Sequence, residues 1–401
     1  MSHHWPTPLK IYIVWHYESS EGGRIAQDLF RFFFRNVETD REKGIGIPVF
    51  YRRGEPGVPI RPIHASEATS EAIVVIVLVD EFLIDACQAD QDRHWLQFMG
   101  ETRKWVDEDP VKRLLLPVAL CREALRAGLP SLEKLQAHRW FDRSAEYGMD
   151  RFSKCMLHLT IELTASMASL LMSQASSFPE DKPKRVRLFL SHAKIDGRDV
   201  TLNFRQEIQR TRGLCDFFDE HDLDIGSDFE LALEHGVHNS NALLVILTDQ
   251  YSQREWCCRE VLTAKKKHLP ILLAYAVHQE ERRSFPYLGN VPSVPFFAAD
   301  SSEAVLRVLQ QILKEILRMA FWRSRTEPLN ASPEAHDATW FFPNPPELLT
   351  LLHDCHEKSG MFPKKIVYPD PPLNVHEKGV LEMVLPGTSQ LVTLSQFLAE
   401  G

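Results

Sequence analysis

The chain has 401 residues, of which 44% are hydrophobic and 25% charged, and its formal net charge is −9. That length exceeds one ordinary domain, and the composition is that of a folded protein rather than a disordered one. The acidic balance argues against nucleic acid as a partner, because an extended phosphate backbone attracts basic surfaces. The longest unbroken apolar run, Ala72 to Val79, is too short to cross a bilayer, and Met1 to Lys10 lacks a basic-then-apolar secretion pattern. Seven cysteines without paired CxxC spacing read as reduced thiols, so the expected location is cytoplasmic, with no membrane association.

Short apolar runs bounded by turn residues begin at Ile11–Trp15 and continue at Ile47–Tyr51, Ala72–Val79 and Leu114–Leu120, with a weaker one at Arg139–Asp142. An amphipathic stretch, Arg151 to Met172, and a polar, proline-containing linker, Ser173 to Lys184, follow. The series then restarts at Val186–Leu190, Leu214–Asp219, Ala242–Leu247, Ile271–Val277 and Val294–Phe297. It closes on a second amphipathic stretch, Ser302 to Met319, with a capping-box-like start at Asp300 and Glu303. Runs rich in Val, Ile and Leu without polar alternation suit central parallel strands covered on both faces. Their alternation with helices implies right-handed crossovers and a doubly wound sheet.

The same order occurs twice, so the expected fold is α/β, with two flavodoxin-like doubly wound parallel five-stranded sheets in tandem. The predicted organisation is a first domain over 1–150, a helix and linker over 151–184, a second domain over 185–322, and a proline-rich tail or small module over 323–401. Pro343, Pro345, Pro346, Pro363, Pro369, Pro371 and Pro372 interrupt any long element in that last part, leaving a short helix near Pro346–Glu357 and an extended segment across Tyr368–Leu373.

Ligands of open α/β sheets bind at the carboxyl ends of the strands. In the second domain those ends read Phe189-Leu190-Ser191-His192, then Phe217-Phe218-Asp219 before an acidic loop reaching Gly226, then Thr248 followed by Tyr251 to Glu260. Over about Arg185 to Ala320 these motifs, with the Trp256-x-x-x-Glu260 pattern, resemble the Toll/interleukin-receptor (TIR) family. The resemblance implies either a scaffold of immune signalling or an enzyme that cleaves NAD⁺, some members cyclising the product. By that resemblance Glu260 is the catalytic carboxylate. NAD⁺ is the substrate, and no cofactor is implied.

The residue types fit that chemistry. Breaking the nicotinamide–ribose bond passes through an oxocarbenium-like state, and nicotinamide departs neutral, so one carboxylate suffices without a general acid. Trp256, four residues before Glu260 and on the same helical face, is a candidate wall of the substrate pocket, with core packing as the equal alternative. Lys194 and Arg198, in the loop leading into a helix, are candidates for the pyrophosphate. Ser191, His192, Phe218 and Asp219 complete the candidate substrate-binding set. Ser191 and His192 point to opposite faces of a strand and have no third member, which argues against a hydrolase triad. Asp219, Asp222, Asp224 and Asp228 lack the spacing of a calcium loop, so no metal is expected. Lys265 to Lys267 read as a basic helix end set against the helix dipole.

The first domain repeats the strand order with drifted motif residues. Val14-Trp15-His16 stands where the second domain has Leu190-Ser191-His192. Four residues beyond Trp95 is Met99; Glu101, six beyond, falls about 200° further round the helix than Met99. The expectation is a degenerate TIR-like domain without a catalytic carboxylate, serving assembly, regulation or ligand sensing. For the whole chain the leading reading is an NAD⁺ nucleosidase, or ADP-ribosyl cyclase, of an immune, antiphage or stress pathway, activated by self-association. The alternative is a non-enzymatic scaffold binding other TIR-containing or effector proteins. A response regulator of the same fold class ranks lower, because no acidic pair closes the first strand.

Overall fold

Ten of the chain's strands pair in parallel into two five-stranded sheets, and three more form a small third sheet. The computed structural model describes residues 7–34, 44–63, 70–88, 93–126, 129, 132–133, 135–142, 151–174, 185–217, 236–279, 284–296, 302–330, 339–358 and 360–400. The chain divides into two compact units, Met1–Lys184 and Arg185–Gly401.

In the first unit β1 (Thr7–Val14), β2 (Val49–Arg52), β3 (Ser70–Val79), β4 (Arg113–Ala119) and β5 (His138–Arg139) take the order β2-β1-β3-β4-β5. The uninterrupted apolar run of β3 sits at the centre, where both faces are covered and no polar alternation is tolerated. Helix α1 (Ser20–Phe33) starts at Ser19, whose Oγ accepts from Gly22 N at 3.0 Å. Helix α2 (Glu81–Gln88) starts beside Asp80, which accepts from Leu83 N at 3.0 Å. Helix α3 (Arg93–Asp107) follows.

Two expectations need correction here. The strand expected over Arg139–Asp142 ends at Arg139, because the backbone turns helical at Trp140, whose indole N–H donates to Glu21 on α1 at 2.8 Å. Helix α4 (Arg151–Gln174) is long and apolar enough, by length and composition, to cross a membrane, although no unbroken apolar run reveals it. His158, Thr160 and Glu162 interrupt the run. Thr160 satisfies its hydroxyl on the Met156 carbonyl at 2.7 Å, so the helix keeps its apolar face, and most of it is buried within the unit.

The second unit repeats the winding. Strands β6 (Val186–His192), β7 (Leu214–Phe217), β8 (Ala242–Leu247), β9 (Ile271–Tyr275) and β10 (Ser293–Pro295) take the order β10-β9-β8-β6-β7. Helices α5 (Arg198–Arg210), α6 (Glu255–Lys266) and α7 (Ser302–Asn330) flank it. Phe189, Leu243, Val245, Val261 and Leu273 lie in one core between β-sheet and α6. Helix α7 does not stop near Met319 but runs on through buried Trp322 and Leu329.

Residues 339–400 are not an extended tail. They form a parallel sheet of β11 (Thr339–Phe341), β12 (Lys365–Tyr368) and β13 (Gln390–Thr393), in that order, with helices α8 (Leu348–Glu357), α9 (Val375–Glu382) and α10 (Leu394–Glu400). Successive strand residues face opposite ways and each way meets an apolar layer. Ile366 and Tyr368 pack with Leu351 of α8 and Leu381 of α9, whereas Val367 and Val392 pack with Trp322 and Leu329 of α7. The segment after Tyr368 folds back, with Leu373 N donating to the Tyr368 hydroxyl at 3.1 Å. The expected basic helix end is present, with Lys265 and Lys266 in the last turn of α6 and Lys267 just after it, but Lys265 is buried and paired with Glu347, while Lys266 and Lys267 remain exposed.

Candidate functional site

At the carboxyl end of the second sheet β6 delivers Ser191 and His192, both buried. Ser191 turns toward α6. Its Oγ lies 2.5 Å from the Tyr251 hydroxyl, and it donates to Glu260 Oε2 in a very short hydrogen bond. Tyr251 sits fully buried in a single helical turn between β8 and α6. Burial, reinforced by nearby Cys257 and Glu260, raises its phenol well above the ordinary tyrosine value. The phenol therefore keeps its proton and donates to Ser191, which leaves the Ser191 proton for Glu260. The result is a directed chain, Tyr251 to Ser191 to Glu260, in a dry setting where such chains strengthen one another.

The surrounding loops hold α6 against β6. Asp196, after β6, accepts from Thr248 Oγ1 at 2.8 Å and from Gln250 N at 3.0 Å, joining the loops that follow β6 and β8. The Cys257 thiol donates to the His192 carbonyl at 3.5 Å, fastening the first turn of α6 to the strand end. Asp249 accepts from His278 N at 2.8 Å, so the loop after β9 joins the same end of the sheet. Glu260 is consequently a half-buried carboxylate whose Oε2 is anchored by Ser191, at the sheet end where ligands of this architecture bind.

Of the other sequence-predicted residues, Trp256 is 40% exposed on α6, which removes the core-packing alternative, and the Arg259 guanidinium lies 4.8 Å from its ring centroid. His192 faces away from Ser191, with Nδ1 3.4 Å from the Leu190 carbonyl. Lys194 and Arg198 are exposed, in the loop after β6 and at the first position of α5. Phe218 and Asp219, like Asp222, Asp224 and Asp228, lie outside the described residues. Among the described residues no cluster of three or more metal-ligating side chains occurs. The thiol of Cys258 is pushed up by burial and by Glu255 and Glu260, which disfavours the thiolate a nucleophile would need.

Sequence reasoning passes over Tyr251, Asp196 and Cys257. Only Tyr251 carries a usable signal. A tyrosine just beyond an all-apolar strand is liable to be buried, and its hydroxyl then needs a partner.

The corresponding helix of the first unit is built differently. On α3 both Trp95 and Met99 are buried. Gly54, at φ +70°, passes so close beneath Trp95 that a Cβ there would sit 2.7 Å from the ring. Glu101 is exposed and accepts from Gln97 at 2.8 Å, and α3 is one uninterrupted helix, so no irregularity turns Glu101 inward.

A protein-family profile described as TIR domain (TIR_2) matches residues 188–309. Those residues are a TIR domain. The match spans β6 to the first turns of α7 and contains Ser191, Tyr251, Trp256 and Glu260. TIR domains serve in signalling, and they include both scaffolds and NAD-cleaving enzymes; many self-associate or bind other TIR proteins. No curated protein matches the chain. Among solved structures, a dipicolinate synthase chain from Bacillus halodurans is similar at 9% identity over 78% of this chain and 99% of that chain, with a TM-score of 0.17, too low to imply a shared fold.

Proposed function

We propose that the TIR domain cleaves the nicotinamide–ribose bond of NAD⁺, with Glu260 as the catalytic carboxylate. The observation that carries this reading is the anchoring of Glu260 by Ser191 beside an exposed Trp256 at the carboxyl end of the sheet. As the C1′–N bond breaks, its electron pair goes to the nicotinamide ring, which leaves neutral. Positive charge grows on the ribose, and a preorganised carboxylate stabilises it without reorganisation. Water, or a nucleophile of the substrate itself, then bonds to C1′ and releases a proton, giving hydrolysis or cyclisation. Trp256 supplies a flat face for nicotinamide or ribose, and Lys194 and Arg198 supply positive charge for the pyrophosphate. In this reading the first unit is a TIR-like partner domain without a catalytic carboxylate, and the protein acts in a cytoplasmic immune or stress response.

Concentrated protein incubated with NAD⁺ should release nicotinamide, with mass spectrometry identifying the second product. Glu260→Gln should lower turnover on the order of 10³-fold, while thermal unfolding stays at its wild-type midpoint. Wild-type turnover in a folded Glu260→Gln protein would move the catalytic role elsewhere. Absence of turnover in the wild type at every concentration would leave the scaffold reading.

The active state is further proposed to be self-associated, with the acidic segment Asp219 to Asp228 contacting a neighbouring copy. Turnover per molecule should then rise with protein concentration, and charge reversal at Asp222 or Asp224 should lower it. Constant specific activity down to concentrations at which the protein sediments as a monomer would rule that out.

A further inference from the structure

Helix α6 is held from two sides. Glu260 faces the sheet through Ser191. Lys265 lies five residues later, about 7.5 Å along the axis and roughly 140° round it, and therefore faces the other way. There its ammonium, with a side chain only 6% exposed, donates to both oxygens of Glu347 at 2.9 Å, in the approach to α8. Just past the end of α6, His268 takes the left-handed conformation, φ 51°. Its ring reaches Asp354 Oδ1 on α8 at 3.1 Å and meets Phe342 edge-on, with centroids 5.1 Å apart. Burial pushes the Asp354 carboxyl up, but His268 and Lys358 outweigh it and hold it below the ordinary aspartate value.

These contacts join the TIR domain to the sheet formed by residues 339–400. A cavity of about 430 Å³ opens along the seam, walled in part by Lys265, Glu315, Arg318 and Glu347. Its charged groups already satisfy one another. Lys265 is spent on Glu347, and Arg318 on Glu315, Asn344 and the Pro343 carbonyl. The seam is thus built as a joint rather than as a ligand site. A buried ammonium paired with a half-buried carboxylate gives little net stability over an apolar pair, but the pair is directional, and it fixes one register between the parts it connects.

We propose that Glu347 and Asp354 are positioning residues for Glu260, and that the C-terminal module acts as a clamp setting where α6 lies against β6. The inference rests on the catalytic reading of Glu260. A helix shift of about 1 Å is enough to cost a reacting group a large part of its rate. Such a shift is available to a helix whose far end is released, because α6 is only 12 residues long.

The full chain tests this with Glu347→Ala, Asp354→Asn and the apolar pair Lys265→Met with Glu347→Leu. Amide exchange over Trp256–Val261, a readout independent of chemistry, should quicken about tenfold in Glu347→Ala and less in Asp354→Asn. In the same proteins kcat for NAD⁺ cleavage should fall about tenfold in Glu347→Ala with KM within about twofold of wild type, since the substrate contacts remain. The apolar pair restores a satisfied seam and should return both readouts toward wild type. If Glu347→Ala loses cooperative unfolding, the milder Asp354→Asn decides. Wild-type exchange and kcat in the folded variants would overturn the clamp, as would faster exchange with unchanged kcat. If the wild type cleaves no NAD⁺, the catalytic reading fails on its own, and the exchange measurement still decides whether the module holds α6.

Discussion

The two five-stranded sheets of this chain share one winding order but treat corresponding helix positions in opposite ways. On α3 of the first unit the inward positions hold Trp95 and Met99, both buried. On α6 of the TIR domain the corresponding positions hold an exposed Trp256 and a half-buried Glu260 tied to Ser191. At the strand end the contrast repeats, with Trp15 packed edge-on against Tyr51 where Ser191 receives Tyr251. An apolar side chain at such a position needs only a cavity of its own shape. A carboxylate needs a donor, and the donor needs a partner of its own, so Ser191 and Tyr251 accompany Glu260 as a set. The same fold accepts either solution, and the second places a carboxylate at the carboxyl end of the sheet.

Exchanging the two solutions gives the largest expected effects. Met99→Glu puts a carboxylate into the first core without a serine to receive it, and should cost roughly 3 kcal/mol or more in chemical denaturation. Glu260→Met in the TIR domain should change stability by no more than about 1 kcal/mol, because the loss of the hydrogen bond from Ser191 is offset by the loss of a desolvated charge. It should nonetheless lower NAD⁺ turnover on the order of 10³-fold. Equal destabilisation by the two substitutions would show that the positions are not counterparts.

Smaller effects are expected along the donor chain. Ser191→Ala removes a charge-assisted hydrogen bond and should lower kcat about 10- to 30-fold, with Tyr251→Phe costing about threefold. Tyr251 also has a signature on the alkaline side. Its phenol is raised in the folded state, so the native protein holds a proton that the unfolded chain releases once pH passes the ordinary tyrosine value. Stability should therefore fall with rising pH in that range, and Tyr251→Phe should show a shallower fall. Identical alkaline profiles for the two proteins would remove Tyr251 from the chain.

The sheets are legible in the sequence because buried parallel strands are uninterrupted apolar runs, and both five-membered series stand out as such. Glu260 is legible only through its motif. Its donor is easily misjudged, since Ser191 invites comparison with its neighbour His192, whereas the contact that matters crosses 69 positions in the chain. Helix α4 escapes the run-length argument because His158 and Thr160 break its composition without breaking its buried face. Residues 339–400 are obscured by their prolines. Strands of three and four residues fit between proline-bearing turns, and their apolar residues are too few for periodicity to register. The pairing of Lys265 with Glu347 leaves no local trace, because 82 residues separate the partners.

Helix α7 has a practical consequence for anyone cutting this protein into pieces. The family match ends at 309, inside a helix that continues to Asn330. A fragment stopped near residue 322 would keep the motif but strip the covering from Trp322 and leave Lys265 without Glu347. Such a fragment would be sticky and poorly soluble for reasons unrelated to its chemistry, and a negative assay on it would say nothing about the intact protein. Expression boundaries should instead follow the folded unit, starting at Arg185 and keeping every residue through the last helix.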